Sequence, residues 1–306
     1  MSVSKVIVVF GATGLQGRYL IEALSANNTR ALTPWKIIAL SRSSTSPSST
    51  ALAKLPGVHV VQVEQDVMEA PAKAFAATGI EKGKVYGCVS IQGYVDVEAM
   101  YRQGCAIGDA AKEWGVKHFV YSSSDVGNKG KAGIPAFDIK ISVEEYLSTL
   151  FPDSHTYLRP AHFMEVWTSS DHQFRMVRTV TANIALKSNS SMKHQLVSVR
   201  DIGLAGAKAF IEGPSWCDGV VRLAGDGLTI SELETIYTEV LWHPPVYDSV
   251  SLATELSSTV PFLQQIASFF GNQGYGIDIE ACRRQLPEME DLRAFLIRTR
   301  ENERTS

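Results

Sequence analysis

Glycines recur at every third position of FGATGLQG, residues 10–17. The β-branched run KVIVV precedes this stretch, and the helix-like segment RYLIEALSAN follows it. A buried strand that passes through glycines into a helix opens a βαβ unit. Each glycine has its own reason. Gly11 permits a tight turn, Gly14 lets the backbone approach a pyrophosphate, and Gly17 lets the helix pack closely on the sheet. The helix N-terminus then presents unpaired N–H groups and a partial positive charge to an anion. The spacing is GxxGxxG, not GxGxxG, so the strand before and the helix after carry the dinucleotide reading. The competing reading is three glycines that serve only close packing.

The rest of the chain keeps the same cadence. Strands are expected at 4–10, 35–40, 58–64, 85–91, 116–124 and 155–160, and helices at 15–27, 69–79, 95–115 and 136–150. Leu20, Ile21 and Leu24 form one helical face, and Gly115 closes the long third helix. The Ser/Thr-rich stretch 41–50 reads as loop, as does 125–135. Strand and helix in alternation predict an α/β fold, a Rossmann-type doubly wound parallel sheet. Ligands of such sheets bind at the carboxyl ends of the strands. The ends are Phe10, Leu40, Glu64, Ile91, Ser123 and Pro160. Beyond residue 160 the rhythm loosens. Residues 195–213 read as a strand feeding a helix and 220–225 as a last strand, and 226–306 is mainly helical with loops at 243–249 and 271–276. The predicted organisation is a nucleotide-binding domain over 1–160, its sheet completed by strands near 195–200 and 220–225. A smaller, mainly helical substrate or lid domain over 161–306 is partly interleaved with it.

Composition narrows the classes. The 306 residues are 45% apolar and 20% charged with a net charge of −3. That balance supports a globular core and gives no basic block for nucleic acid. Cys88, Cys105, Cys217 and Cys282 are scattered and form no zinc-type spacing, so reduced thiols and no metal are expected. There is no signal-peptide pattern and no apolar run near the ~18 residues of a membrane span, so a cytoplasmic protein is expected.

The second strand end selects the nucleotide. An NAD site usually carries Asp or Glu there for the ribose 2′-OH. This chain has Leu40-Ser41-Arg42-Ser43. Arg42 can pair a 2′-phosphate bidentately, with neighbouring hydroxyls as further donors, so NADP(H) is the expected cofactor. A solvated loop arginine is the alternative. Asp66 could accept from the adenine amino group or simply form a turn. Ile91, Gln92 and Gly93 end the fourth strand, and Gly93 has no side chain to block a ribose.

With these residues in place the chain resembles the NmrA-like family, a branch of atypical short-chain dehydrogenases/reductases (SDRs). The matching segments are VVFGATGLQG, DVEAMYRQGCAIGDAAKEWGVKHFVYSSS, GIPAFDIKISVEEYL and YLRPAHFMEVW. VSVRDIG, LAGDGLTISEL and FFGNQGYGIDIEACRRQLPEMEDLRAFL continue it to the far end of the chain. The resemblance implies NADP(H) binding and a smaller C-terminal domain closing a cleft. It implies cofactor contacts at Gly11, Thr13, Gly14, Gln16, Arg42, Asp66, Gln92, Gly93, Lys140 and the segment His162, Phe163, Met164 and Glu165. It leaves function split between dinucleotide-sensing regulators and reductases, often of secondary metabolism.

The proton donor is where the chain departs from ordinary SDR enzymes. Those carry Y-x-x-x-K on the helix after the fifth strand, where the Lys lowers the Tyr pKa. Here the segment is Ala136-Phe137-Asp138-Ile139-Lys140. Lys140 is open to three readings: a ribose contact, an acid/base of the kind the related isoflavone-reductase group uses, or a surface Lys paired with Glu144. Ser122 and Ser123 end the fifth strand, where SDR enzymes place a substrate-binding Ser; alternation lets only one of them face the cleft, Ser123 is the catalytic candidate, and simple strand-end hydrogen bonding is the alternative. His162 is a second acid candidate because its unperturbed pKa suits proton transfer near neutrality, and a His that contacts the nicotinamide or packs in the lid is the alternative. Val166 and Trp167 make the substrate side apolar.

Three functions follow. The first is an NADPH-dependent reductase of a carbonyl or conjugated alkene on an apolar organic substrate. The second is an NADP(H)-sensing regulator that docks on a partner protein without turnover. The third is a non-redox cyclase or isomerase on the same fold.

Overall fold

A computed structural model describes residues 5–29, 33–63, 67–94, 96–213, 216 and 219–305. The chain folds into two compact units, each built from three segments. The first comprises Met1–Ser124, Ile139–Arg159 and Ile202–Val221. The second comprises Asp125–Asp138, Pro160–Asp201 and Arg222–Ser306.

The first part of the chain alternates strands and helices: β1 (Val6–Phe10), α1 (Leu15–Asn28), β2 (Lys36–Ser41), α2 (Pro47–Ala53), β3 (Val58–Gln62) and α3 (Pro71–Ala77). It continues with β4 (Val85–Ser90), α4 (Val97–Glu113), β5 (His118–Ser122), α5 (Pro135–Leu150) and β6 (His155–Pro160). A seven-stranded sheet has the order β3-β2-β1-β4-β5-β6-β9, where β9 is Gly219–Leu223. The ladders joining β3 through β6 are all parallel. This is the Rossmann arrangement, and the strand order reverses between β1 and β4. Every residue of β1 is buried, as a central parallel strand covered on both faces requires. One face carries a core of Val8, Phe10, Phe75, Trp114, Phe119 and Tyr121 among others.

Two helices of this sheet are seated by glycine. Gly104 and Gly108 of α4 face α5, where a Cβ would lie 2.7 Å from Val143 and 2.5 Å from Leu147. Val143 and Leu147 share a helical stripe with Lys140, so the same packing turns Lys140 inward.

The Ser/Thr-rich stretch 41–50, expected to be loop, is not loop throughout. Pro47 opens the short helix α2, and the Ser46 hydroxyl caps it by accepting from Ser49 N. Serine at the cap followed by proline at the first helical position is the local reason.

The second unit begins its own pattern after β6. β7 (His162–Phe163), α6 (Glu165–Thr168) and α7 (His172–Val180) come first, and α7 continues into a π-helical turn at Thr181–Leu186. Then comes β8 (His194–Val197); most of α8 (Val199–Ile211) and the start of β9 return to the first unit, and the second unit resumes with β10 (Asp226–Leu228), α9 (Ile230–Leu241), α10 (Val250–Thr259), α11 (Pro261–Asn272), α12 (Ile279–Gln285) and α13 (Leu292–Thr305). β10, β8 and β7 form a separate three-stranded sheet. The strand expected near 195–200 to complete the main sheet therefore belongs elsewhere: β8 pairs antiparallel with β10 and parallel with β7. The strand expected at 220–225 does join the main sheet, as β9. A strand of only four residues, HQLV, carries no sign of which sheet it will join. The second core gathers Met164, Trp167, Leu186, Leu196, Leu233, Leu292 and Phe295. Among the described residues, no helix is long and apolar enough to cross a membrane.

Candidate functional site

The turn between β1 and α1 is built by its glycines. Gly11 has φ +81°, and a Cβ there would lie 2.3 Å from the Ile91 carbonyl oxygen. A Cβ on Gly17 would lie 2.3 Å from the Gly11 oxygen and 2.9 Å from Ala12 Cα. These two positions fold the turn against β4 and against the first turn of α1. Gly14 differs: it is exposed, and its N–H donates to the Gly11 oxygen at 3.2 Å. Gly14 is also the N-cap of α1, with no side chain closing the helix end and no acidic residue in its first turn. The leading N–H groups of α1 are therefore left for an anion. Thr13 is half-buried within the same turn.

Gln16 ties this turn to β5. Its Oε1 accepts from Ser122 Oγ at 2.6 Å. Ser123 Oγ, the next residue's hydroxyl, is buried and has no hydrogen-bond partner among the described residues. The two serines thus separate as strand alternation requires. One is structural and the other is unused by the fold.

Lys140 arrives from α5 at the same strand end. Its Nζ donates to the Ser122 carbonyl oxygen at 3.0 Å and lies 5.9 Å from the Tyr121 ring centroid. The residue is half-buried, and desolvation lowers its pKa to about 8 against an upward pull from Glu144. The reading of Lys140 as a surface residue paired with Glu144 is corrected. Glu144 is buried and forms a two-pronged pair with Arg159, whose Nε lies 2.9 and 3.2 Å from the two carboxylate oxygens. The guanidinium fork fits a carboxylate better than an ammonium does and takes the partner. Ala136, where ordinary SDR enzymes carry Tyr, stands one turn earlier on α5 and is buried.

The other nucleotide candidates separate into two groups. Arg42 is exposed just beyond β2, and Gly93 is exposed, with open space where a Cβ would point. Gln92 is instead buried and internally engaged: Nε2 donates to Met100 O at 2.9 Å, and Oε1 accepts from Tyr121 OH at 3.0 Å. Its side chain holds β4 to α4 and leaves only backbone for a ligand. The hydroxyls expected to assist Arg42 are partly engaged too, since Ser49 Oγ donates to Ser43 O at 2.6 Å and lies 2.9 Å from Ser41 Oγ. Glu64, Asp66 and Cys217 lie outside the described residues.

In the second unit, His162 and His194 face one another. Nδ1 of His162 and Nε2 of His194 are 2.7 Å apart, and Phe270 packs on both rings. Burial pulls His162 down to about 3 and His194 well below its ordinary value. Phe163 is half-buried against the second core, and Met164 is fully buried in it. Glu165 is also engaged within the unit. Both its oxygens accept from Val199 N, at 3.0 and 3.1 Å, capping α8, and burial pushes its pKa to about 7.

Two groups escaped the sequence reading. His194 gave no signal, because only the β7–β8 pairing brings it to His162. Arg18 did carry one: it is a cation on the first turn of α1, directly after the third glycine.

Known proteins share this plan. An NmrA-like family domain-containing protein of Dictyostelium discoideum is 32% identical over 152 residues, 48% of this chain and 46% of that protein. An NmrA-like family domain-containing oxidoreductase, malD, of Malbranchea aurantiaca is 28% identical over 166 residues, 53% of this chain and 48% of that protein. The chain spans about half the length of these curated relatives. Among solved structures, the negative transcriptional regulator NmrA in complex with NADP aligns with a TM-score of 0.71 at 16% identity, over 96% of this chain and 94% of that one. The triphenylmethane reductase of Citrobacter sp. complexed with NADP(H) aligns with a TM-score of 0.70 at 22% identity, over 96% of this chain and 99% of that one. At such identities the structural likeness is one of fold. The profile of the NmrA-like family, however, matches residues 3–295, through the glycine turn, α5 and the separate sheet of the second unit alike, and the chain belongs to that family.

Proposed function

We propose that the first unit binds NADP(H) and that the protein is an NADPH-dependent reductase of a carbonyl or conjugated alkene on an apolar organic substrate, of the kind found in secondary metabolism. The cofactor fits what the chain offers. Gly11 and Gly17 fold a cradle that side chains would fill, α1 begins with an open end, and Arg42, exposed just beyond β2, can pair with a 2′-phosphate. Solved proteins of the same fold are described in complex with NADP or NADP(H).

One observation carries the enzymatic reading. Among the described residues, Lys140 is half-buried at the end of β5 with no carboxylate bonded to it, and Ser123, the residue after the Ser122 that anchors it, has a buried Oγ with no partner. A reduced nicotinamide, when bound, supplies hydride chemistry. This chain's own residues manage the proton. The Lys140 ammonium is anchored by the Ser122 carbonyl and keeps two further N–H donors. With its pKa near 8 it can release a proton to a substrate oxygen and regain one from water. Ser123 Oγ can donate to the same oxygen. His162 has no part in this proposal, since a buried neutral imidazole tied to a second imidazole has no ready proton to give.

The test mixes the full chain with NADPH and a panel of apolar ketones, quinones and enones, and follows loss of the reduced nicotinamide absorbance. Turnover of at least one is expected. Lys140→Met should lower kcat by about 100-fold or more while NADPH affinity changes by less than about 3-fold. Wild-type kcat should decline as pH rises through about 8, where the ammonium is lost. Tight NADPH binding without consumption on any substrate, with Lys140→Met altering affinity alone, would overturn the reductase. A second reading, a dinucleotide-sensing regulator with a protein partner, is favoured by Ala136 in the Tyr position. It is the outcome that result would leave.

A further inference from the structure

Arg18 sits on a side of α1 that the structure defines. Ser25 Oγ donates to Pro56 O at 2.9 Å, so the Ser25 side of the helix faces the connection between α2 and β3. Arg18 precedes Ser25 by seven residues, two helical turns, and therefore lies on that same side. It also lies two turns nearer the start of α1, at the carboxyl end of β1. β2 runs parallel to β1 in direct register and ends at Ser41, immediately before Arg42. Arg18 and Arg42 thus approach one corner of the first unit, one from α1 and one from β2.

Neither guanidinium is compensated by an acid among the described residues. Arg18 Nε is buried and has no hydrogen-bond partner among them. Glu22, the acceptor one turn on that a surface arginine would normally find, is exposed and forms no ion pair with it. A permanently charged donor held without an acceptor is costly and is relieved by an anion. Arg42, exposed to solvent, adds a second cation at the same edge, and two cations suit a dianion rather than a single carboxylate.

We propose that Arg18 is a second specificity-determining cation for the 2′-phosphate of NADP(H), gripping it together with Arg42. The proposal rests on the NADP(H) reading above and deepens it.

Binding of NADPH and NADH to the full chain, measured by titration calorimetry without any substrate, tests it. Wild type is expected to prefer NADPH. Arg18→Ala should weaken NADPH by about 10- to 100-fold and NADH by less than about 3-fold, and Arg18→Lys should recover part of the loss. Arg18→Ala combined with Arg42→Ala should bind the two dinucleotides alike. An Arg18→Ala protein that keeps wild-type NADPH affinity, or that loses NADPH and NADH equally, would sink the role of Arg18 and leave the cofactor reading standing. Wild type that binds neither dinucleotide would overturn both. Should Arg18→Ala fail to fold, wild type and Arg18→Gln are compared by thermal shift with 2′-AMP and 5′-AMP. Selective stabilisation of wild type by 2′-AMP, lost in Arg18→Gln, supports the proposal, and equal response of the two proteins overturns it.

Discussion

His162 and His194 share a single hydrogen bond, so one of the two facing nitrogens carries the proton and the other accepts it. Neither ring can charge without leaving a desolvated cation beside its neighbour. His162 titrates near 6.5 when the chain is unfolded and near 3 when it is folded. Between these values the unfolded chain binds more protons, so stability rises with pH. The contribution is complete above about 6.5 and is lost as pH falls toward 3. Replacing both residues by Gln should flatten the pH dependence of the unfolding free energy from urea titration between those limits, by about 2–5 kcal/mol in total. An unchanged slope would show that other groups govern acid unfolding. At this scale the sequence located His162 by its distance from β6 but gave no hint of its partner, 32 residues away. It located Lys140 as well, but not the Arg159 that removes Glu144 from it.

Among the elements, the β1–α1 junction was the most legible, because backbone chemistry dictates it. A Cβ at Gly17 would strike backbone atoms of Gly11 and Ala12, which cannot swing aside as a side chain can. Gly17→Ala should therefore destabilise the protein by about 1–3 kcal/mol and weaken NADPH binding together with it, as read by thermal melting and by titration. Gly14→Ala offers a contrast, since its Cβ would meet only the Gly11 oxygen, at 3.4 Å. It should melt close to wild type, within about 1 kcal/mol. The same level of reading missed α2, where composition suggested loop while the Ser46 cap and Pro47 supplied a helix start. It also misplaced β8, whose sheet is chosen by the partners available and not by its own four residues.

For the whole molecule, the order of segments matters more than their number. The first unit is completed only by Ile202–Val221, far along the chain. Within it, Gly203 and Gly206 bring α8 onto α1, where added Cβ atoms would lie 2.7 Å from Leu20 N and 2.6 Å from Leu20 Cδ1. Phe210 similarly covers Gly87 of β4 at 2.3 Å from an added Cβ. A fragment ending at residue 160 would expose Leu20 and Leu158, both now buried. Such a fragment should retain strand and helix signals in circular dichroism but show no cooperative melt. A sharp transition like that of the full chain would show that α8 is dispensable to the first core. The second unit has its own long-range tie: Asp125 is buried and receives two hydrogen bonds from Arg222, at 2.6 and 2.9 Å, which hold the excursion after β5 inside that unit.

Local chemistry determined what the sequence made plain: the glycine turn, the parallel alternation of strands and helices, the cation after β2 and the absent tyrosine at Ala136. Those follow from backbone freedom, side-chain volume and periodicity, which are properties of neighbouring residues. Tertiary structure decided what depends on distant partners. It chose the sheet that β8 joins, the carboxylate that Arg159 takes from Lys140, and the burial that keeps His162 neutral. It also left Ser123 Oγ and Arg18 Nε without partners among the described residues, because a group's environment is set by whatever the fold brings beside it.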